Sequence, residues 1–188
     1  FAESAVTAAV LEVGLGGRLD ATNVVDAEVC VVTSIGVDHT EYLGEDIASI
    51  AAEKVAIAGP NSILVTGPLP DEALDVANSV SRDLGIQHRR FGTDFSIGHS
   101  ELGVGGWLAT FEAAEDTYED VFLPLHGRYQ LTNLAVAVAA CEALVGEKLN
   151  SDAVRAGIAA ATMPGRVESL AASPLIIVDG AHNADGVA

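Results

Sequence analysis

Hydrophobic and polar positions in the first half of the chain follow two alternating patterns. Short apolar runs predict strands over residues 5–13, 28–35 and 62–65, whereas apolar residues at helical spacing predict helices over 47–58 and 71–84. Strands that alternate with helices are typical of a parallel sheet whose crossover connections are helical. This half therefore predicts an α/β fold.

The pattern changes in the second half of the chain. Short, Gly-punctuated apolar runs over 91–124 predict antiparallel hairpins. Two further helices are predicted over 130–145 and 151–161, and Ser151 or Asp152 is placed to cap the second one. We therefore expect a parallel sheet with flanking helices and, beside it, a small antiparallel region.

A last apolar run predicts a strand over residues 175–178. The Ala- and Pro-containing link at 171–174 precedes it, and we place a domain boundary there, between residues 1–172 and 173–188. The chain starts at Phe1 rather than Met and stops within an element, so we expect it to be a fragment of a longer protein.

Composition and charge exclude several classes of function. The chain has 188 residues, 49% of them hydrophobic, which is enough to bury a core. Its 27 acidic and 9 basic residues give a net charge of −18, which repels nucleic acid and anionic lipid. Because no long apolar stretch or signal peptide is present, we predict a cytoplasmic location and no membrane partner. Cys30 and Cys141, each in an apolar stretch, favour buried free thiols over a disulfide.

A glycine cluster in "LEVGLGGRLDATN", residues 11–23, follows the first predicted strand. Glycines allow a tight turn and the close approach of a ligand. The spacing of these glycines does not fit the dinucleotide pattern G-x-G-x-x-G, because Leu19 stands where its last glycine belongs. A nicotinamide dinucleotide site is therefore not supported.

Glu12 and His39 follow two predicted strands of the parallel sheet. The carboxyl ends of such strands form one ligand-binding edge, so a carboxylate and an imidazole would meet there. This pair suits a divalent ion bound to a nucleotide. The alternatives are a solvated loop carboxylate for Glu12 and a structural role for His39.

Lys54 lies on the apolar side of its predicted helix, with Ile47, Ile50 and Ala51, whereas Glu53 lies on the opposite side. One interpretation is a lysine at the edge of the apolar stripe whose ammonium reaches water. The other is a partly buried amine, because desolvation favours the neutral form. Such an amine reacts with carbon dioxide to give a carbamate, which is an anionic metal ligand.

Four later residues are candidates for ligand binding. Asn133 near a helix start would recognise a nucleobase or help to cap the helix, and Arg166 on a Pro-Gly turn would clamp phosphate or remain solvated. Asp179 and His182 follow the last predicted strand. The basic residues 88–90 are interpreted as a solvated strand end.

No G-x-x-x-x-G-K-[ST] phosphate loop occurs in the chain. If the protein uses ATP, we expect that loop upstream of Phe1, and we expect the fragment alone to be inactive.

Five motifs in order, "LEVGLGGRLDATN", "SIGVDHTEYLG", "EKVAI", "MPGR" and "DGAHN", closely resemble the folylpolyglutamate synthase and dihydrofolate synthase family of Mur-type ligases. The resemblance covers nearly the whole chain. It implies an ATP-dependent amide ligase, with a central P-loop-type domain in residues 1–172 and the start of a C-terminal α/β domain in 173–188.

The resemblance also implies a metal and reaction centre. Glu12 and His39 would be magnesium ligands, Lys54 would be the carbamylated lysine that holds a second magnesium ion, and His182 would face the reaction centre. The family usually has proline where this chain has Ala184, which removes no ligand.

Substrate sites are implied in the same way. Asn133, Arg166 and Asp179 would surround ATP, and Asp20 with Ala21 would line the pterin pocket of the bifunctional bacterial members. A carboxylate of dihydropteroate or folate would attack the γ-phosphate of ATP, and the amine of L-glutamate would then displace phosphate from the acyl phosphate. Another Mur-type amide ligase and a non-catalytic nucleotide- or metal-binding module are the alternatives. We expect only small-molecule partners, and we expect the protein to be a monomer.

Overall fold

The computed structural model describes residues 3–37, 43, 44 and 46–181. The predicted site residues His39 and His182 lie outside these ranges, as does Ala184.

A three-stranded parallel sheet forms the first half of the fold. Its strands β1 (Val29–Val32), β2 (Ile63–Thr66) and β3 (His88–Arg90) pair in that order. Helix α1 (Ile47–Val55) connects β1 to β2, and helix α2 (Asp71–Leu84) connects β2 to β3. The predicted parallel sheet with helical crossovers is therefore confirmed.

Helix α2 has the bounds that its apolar spacing predicts. Ala73, Ala77 and Ser81 recur every four residues and form its buried face. Gly85 ends the helix in the left-handed conformation, at φ 66°, where its N–H bonds the carbonyls of the last turn. The bounds of this helix therefore agree with the signals in its local sequence.

A three-stranded antiparallel sheet follows, as predicted. Its strands are β4 (Ser96–Gly103), β5 (Gly106–Glu112) and β6 (Thr117–Leu123). Helix α3 (Tyr129–Val145) packs against strands of both sheets, and helix α4 (Ser151–Ala159) packs against β6. Helix α3 thus joins the parallel sheet to the antiparallel sheet.

The cap of α4 differs from the prediction. Asn150, rather than Ser151 or Asp152, is the N-cap, because its Oδ1 accepts a hydrogen bond from Ala153 N at 2.9 Å. Asparagine is as good a cap as serine or aspartate, so the prediction overlooked a suitable residue one position earlier.

The strand predicted over residues 5–13 is wrong. This segment is irregular and almost entirely exposed. A strand needs a hydrogen-bonded neighbour, and no strand in the described part of the chain pairs with it. Apolar residues alone therefore did not determine its structure.

A two-stranded antiparallel hairpin ends the described chain. Strand β8 (Leu175–Val178) has the predicted bounds, and its partner β7 (Glu168–Ala172) was not predicted. The link at 171–174 contains the turn of this hairpin. The domain boundary between residues 172 and 173 stays a prediction.

Two hydrophobic clusters make up the core. One joins the antiparallel sheet to α3, with Phe111, Tyr118 and Leu131 among its large members. The other joins β1 and β2 to α1 and α2, with Ile50 and Leu64 at its centre. No helix in the described ranges is long and apolar enough to cross a membrane.

The two cysteines have different surroundings. Cys30 is buried as predicted, and its Sγ donates to the carbonyl of Ile57 at 3.1 Å. Cys141 is exposed, so the prediction of burial is wrong for it. Helix α3 is apolar over most of its surface, and periodicity therefore does not show which face is covered. Both thiols are free.

The prediction of a solvated strand end at residues 88–90 is also wrong. Arg89 is buried, with its Nη2 3.2 Å from Glu115 Oε1 and its Nη1 3.8 Å from Glu142 Oε2. Glu142 is fully buried in α3 and accepts the hydroxyl of Tyr118 at 2.7 Å. Strand β3 lies at the edge of the parallel sheet, and Arg89 is buried against Glu142 of α3 and against Glu115, which are both distant in sequence.

Candidate ligand-binding site

Asp20 closes the glycine loop at residues 14–22. Its Oδ2 accepts hydrogen bonds from the N–H groups of Gly14 and Leu15, at 3.1 and 3.2 Å. Its Oδ1 accepts from the N–H and the hydroxyl of Thr22, at 2.9 and 2.6 Å. These hydrogen bonds, chiefly those from Thr22, lower the pKa of Asp20 to about 2.

A short 3₁₀ turn (Ala21–Val24) follows Asp20, which is its N-cap. Ala21 is exposed at the start of this turn. Because both oxygens of Asp20 already accept protein donors, its first role is to fix the backbone around Ala21. A contact of Asp20 and Ala21 with the pterin stays a prediction.

The glycine loop lies against the last turn of α1. Arg18 N donates to the carbonyl of Glu53 at 3.1 Å, and Arg18 Nε donates to Glu53 Oε1 at 2.9 Å. Sequence reasoning missed this contact, although the close packing of Gly17 on the same turn is what a glycine permits.

Lys54 occupies that same turn and is half-buried. The buried face of α1 consists of Ile50, Ala51 and Val55, so Lys54 lies at its margin. Asp46 caps the other end of the helix through Ser49 N, at 2.8 Å. A half-buried position is compatible with both interpretations of Lys54, the amine that reaches water and the amine that is carbamylated.

Glu12 lies in the irregular segment before the glycine loop and is exposed. The prediction that a paired strand delivers it to the sheet edge is therefore not met among the described residues. Its predicted partner, His39, follows the described loop at residues 33–37. A contact between Glu12 and His39 stays a prediction.

An open pocket of about 500 Å³ lies at the carboxyl end of β1. Ser34, Gly36 and Val37 line it, together with Ile47 at the start of α1 and Pro70 before α2. Ligands of open α/β sheets bind at this edge, because the loops after the strands diverge there. The pocket is therefore placed where the sequence predicts a nucleotide or metal.

The motif "MPGR" lies next to residues 179–181, the described part of "DGAHN". Gly180 N donates to the carbonyl of Gly165 at 2.7 Å, and Val167 N donates to Asp179 Oδ2 at 2.8 Å. A Cβ added to Gly180 would lie only 2.5 Å from Arg166 Nη1. Arg166 and Asp179 thus belong to one hydrogen-bonded unit, and their contact with ATP stays a prediction.

Backbone geometry in this unit is strained. Val167 has φ 50°, a left-handed conformation that β-branched residues rarely adopt. Asp179 holds it there, and the N–H groups of Ala181 and Val167 lower the pKa of Asp179, with a smaller contribution from Arg166. Strain that the surrounding structure maintains is frequent at ligand sites.

Asn133 does not cap α3, which begins at Tyr129. The capping alternative is therefore wrong. The Asn133 amide is exposed, and its Nδ2 donates to Gln130 Oε1 at 3.1 Å. Nucleobase recognition by Asn133 stays a prediction.

The predicted magnesium ligands lie only partly within the described ranges, because His39 is outside them. Within those ranges, no group of three or more His, Cys, Asp or Glu side chains is placed to hold a metal. The chemistry of the predicted set nevertheless fits: a Glu12 carboxylate and a carbamate oxygen on Lys54 are the hard donors that magnesium prefers, and His39 would complete them. The set remains an expectation.

Comparison with known proteins gives a consistent result. The family model of the Mur ligase middle domain matches residues 1–141. A relative from Mycobacterium tuberculosis, named dihydrofolate synthase/folylpolyglutamate synthase, is 41% identical over 198 residues that cover 99% of this chain. The chain spans 40% of that relative's length.

Solved structures agree with this match. A Mycobacterium tuberculosis folylpolyglutamate synthase complexed with ADP and AMPPCP superposes with a TM-score of 0.94, at 42% identity, over 99% of this chain and 43% of that one. A complex of FPGS with AMPPCP and folate superposes with a TM-score of 0.90, at 36% identity, over 94% of this chain and 44% of that one.

Proposed function

Because the chain belongs to the Mur ligase middle-domain family, we propose that the whole protein is an ATP-dependent ligase that joins L-glutamate to dihydropteroate, to reduced folate, or to both. The sequence motifs predict this family, and the relatives described above carry the names of such enzymes. Solved complexes of such enzymes with a nucleotide and with folate support ATP and a folate-type acid as substrates.

One structural observation carries the proposal. The unit of Arg166 and Asp179 brings a guanidinium to a turn that backbone hydrogen bonds hold rigidly. A rigid cation suits the charge that develops on a phosphoryl group in transfer, because it needs no reorganisation during the reaction. Asn133 would contact the nucleobase of the same ATP, and Asp179 would hold the turn that carries Arg166.

Glu12, His39 and Lys54, the last as a carbamate, would hold magnesium, in two sites as the resemblance implies. Bound magnesium offsets negative charge on the phosphates. Asp20 and Ala21 would line the pterin pocket, and His182 would face the reacting carboxylate. We expect a cytoplasmic monomer.

The proposed ligation has two steps. The substrate carboxylate attacks the γ-phosphorus of ATP, the bond to the β-phosphate oxygen breaks, and ADP leaves. The amine of glutamate then attacks the acyl phosphate, phosphate leaves, and the amine loses a proton as the amide forms. Arg166 acts in the first step, because that is where charge builds up on the transferring group.

The test is phosphate release by the whole protein with ATP, magnesium and L-glutamate, comparing dihydropteroate with tetrahydrofolate. We expect release that requires both glutamate and one of these two acids. Arg166→Ala should lower kcat about 100-fold or more, as loss of one preorganised charge partner does. Arg82→Ala, which removes an exposed arginine of α2, is the matched control and should behave as wild type.

Two results would contradict the proposal. Release that depends on a different acid would indicate another Mur-type ligase, and nucleotide binding without any release would indicate a binding module. An Arg166→Ala variant as active as the Arg82→Ala control would remove Arg166 from the site.

A further inference from the structure

The last turn of a helix has carbonyls without partners inside the helix, and in α1 the glycine loop supplies one partner from outside. Arg18 N donates to Glu53 O, and the Arg18 side chain pairs with the carboxylate of the same residue. Two contacts of one loop residue thus converge on the residue that precedes Lys54.

Gly17 sets how closely the loop approaches that turn. A Cβ at this position would lie 2.6 Å from Glu53 O, 2.9 Å from Ile57 Cγ2 and 3.0 Å from Lys54 O. Two of these three atoms belong to the backbone of α1, which cannot rotate away as a side chain can. Any residue but glycine would therefore push the loop and the Lys54 turn apart.

The loop itself is held from its far side. Asp20 N donates to Gly17 O at 3.1 Å, and the Asp20 carboxylate accepts from Gly14 and Leu15. Asn23 Nδ2 donates to Arg18 O at 3.1 Å. Because these contacts fix the backbone on both sides of Gly17 and Arg18, the loop is a rigid surface for α1 to rest on.

We propose that Gly17 and Arg18 are positioning residues for Lys54. They touch no reacting atom. They fix the backbone of the turn from which the Lys54 side chain extends, and so its place relative to the other predicted magnesium ligands. This inference rests on the proposed function, because it assumes that Lys54 is a ligand.

The ion pair between Arg18 and Glu53 is the weaker part of this contact. Its side chains are 55% and 32% exposed, and exposed pairs contribute little. The packing of Gly17 is the stronger part, because a steric overlap with backbone atoms is not screened by solvent. Gly17→Ala is therefore the sharper variant, and Gly157→Ala, whose Cβ would meet no atom within 4 Å, is its matched control.

The experiment combines two measurements on the whole protein. Hydrogen exchange should be faster in the last turn of α1 in Gly17→Ala and unchanged in Gly157→Ala. The magnesium concentration for half-maximal turnover should rise about 10- to 100-fold in Gly17→Ala, as when a residue that supports a metal ligand is lost. The KM for the folate-type substrate should stay within about twofold of wild type. An unfolding midpoint equal to wild type would show that these effects are local.

Two outcomes would overturn the inference. One is exchange and magnesium dependence like wild type in Gly17→Ala. The other is a rise in the KM for the folate-type substrate alone, which would make the loop a wall of the substrate pocket. If the wild-type protein releases no phosphate with any substrate, the proposed function fails, whereas hydrogen exchange still reports whether Gly17 holds the Lys54 turn.

Discussion

Asp20 and Glu142 are two carboxylates that organise the protein in different ways. Asp20, in a loop near the surface, accepts four hydrogen bonds from residues no more than six positions away. Glu142 is fully buried and accepts from Tyr118 and from the N–H of Glu115, which are 24 and 27 positions away. It also faces Arg89.

This difference separates local order from global stability. The hydrogen bonds of Asp20 fix one loop, which contacts the last turn of α1 but contributes no residue to the two hydrophobic clusters. The contacts of Glu142 connect α3 to β3, to β6 and to the turn before it, so they join the parallel sheet to the antiparallel one. Loss of the Asp20 hydrogen bonds should loosen a loop, whereas loss of the Glu142 contacts should lower the stability of the whole fold.

The largest effect is expected from Glu142→Ala. It leaves the Arg89 guanidinium buried beside a half-exposed Glu115, and it leaves the Tyr118 hydroxyl without its acceptor. Removing one partner of a buried ion pair costs about 3–5 kcal/mol of unfolding free energy. Urea unfolding monitored by circular dichroism would measure this loss.

A double variant tests the reason for that loss. Arg89→Met with Glu142→Leu removes both charges, so it should recover the part of the stability that Glu142→Ala loses through the unpaired guanidinium, while the Tyr118 hydroxyl still lacks its acceptor. A double variant as unstable as the single one would show that the lost hydrogen bonds or packing, rather than the unpaired charge, were responsible.

A smaller effect is expected from Tyr118→Phe. The hydroxyl donates to Glu142 Oε1 and accepts from Leu149 N at 2.9 Å, and burial, followed by the bond to Glu142, raises the pKa of Tyr118 to about 12. Its removal should cost about 1–3 kcal/mol, measured by the same unfolding experiment. Tyr129→Phe, at an exposed position, should cost nothing measurable. Equal losses in the two variants would contradict a special role for the buried hydroxyl.

The smallest effect on global stability is expected at Asp20. Asp20→Asn should leave the urea midpoint unchanged, while the amide signals of Gly14, Leu15 and Thr22 shift in NMR spectra. Since its folded-state pKa is lowered to about 2, the contribution of Asp20 to loop order is present above about pH 4 and disappears as the pH falls through about 2. The wild-type amide signals should therefore move little between about pH 7 and about pH 3. A titration midpoint near pH 4 would mean that the loop does not hold the carboxylate.

Local signals in the sequence predicted the elements that local interactions determine. Helix α2 begins and ends where its apolar spacing and Gly85 indicate, and β8 has the bounds of its apolar run. The segment 5–13 has an equally apolar pattern but forms no strand, because a strand also needs a hydrogen-bonded neighbouring strand from another part of the sequence. Arg89 was misread for a related reason, since its burial comes from elements that are distant in sequence.

The candidate site shows the same distinction. The family resemblance implies that Arg166 and Asp179 surround ATP; the structure joins their two turns, and the ATP contact itself stays a prediction. The sequence also marked Lys54 as a residue at an apolar margin, which its half-buried position agrees with. The contact of Arg18 with Glu53 could not be predicted, because it links a loop to a helix 35 residues away and neither side has a periodic pattern.

The strained backbone at Val167 sets thermal stability against the fixed geometry of one turn. A left-handed β-branched residue is a natural position for a stabilising exchange to glycine, since the replacement relieves a conformation that costs of order 1–3 kcal/mol. The same exchange would make the backbone next to Arg166 more flexible and loosen the turn that Asp179 holds. Engineers who seek a more heat-resistant protein would thus have reason to keep this unfavourable residue, and to look for stability in the buried cluster around Glu142 instead.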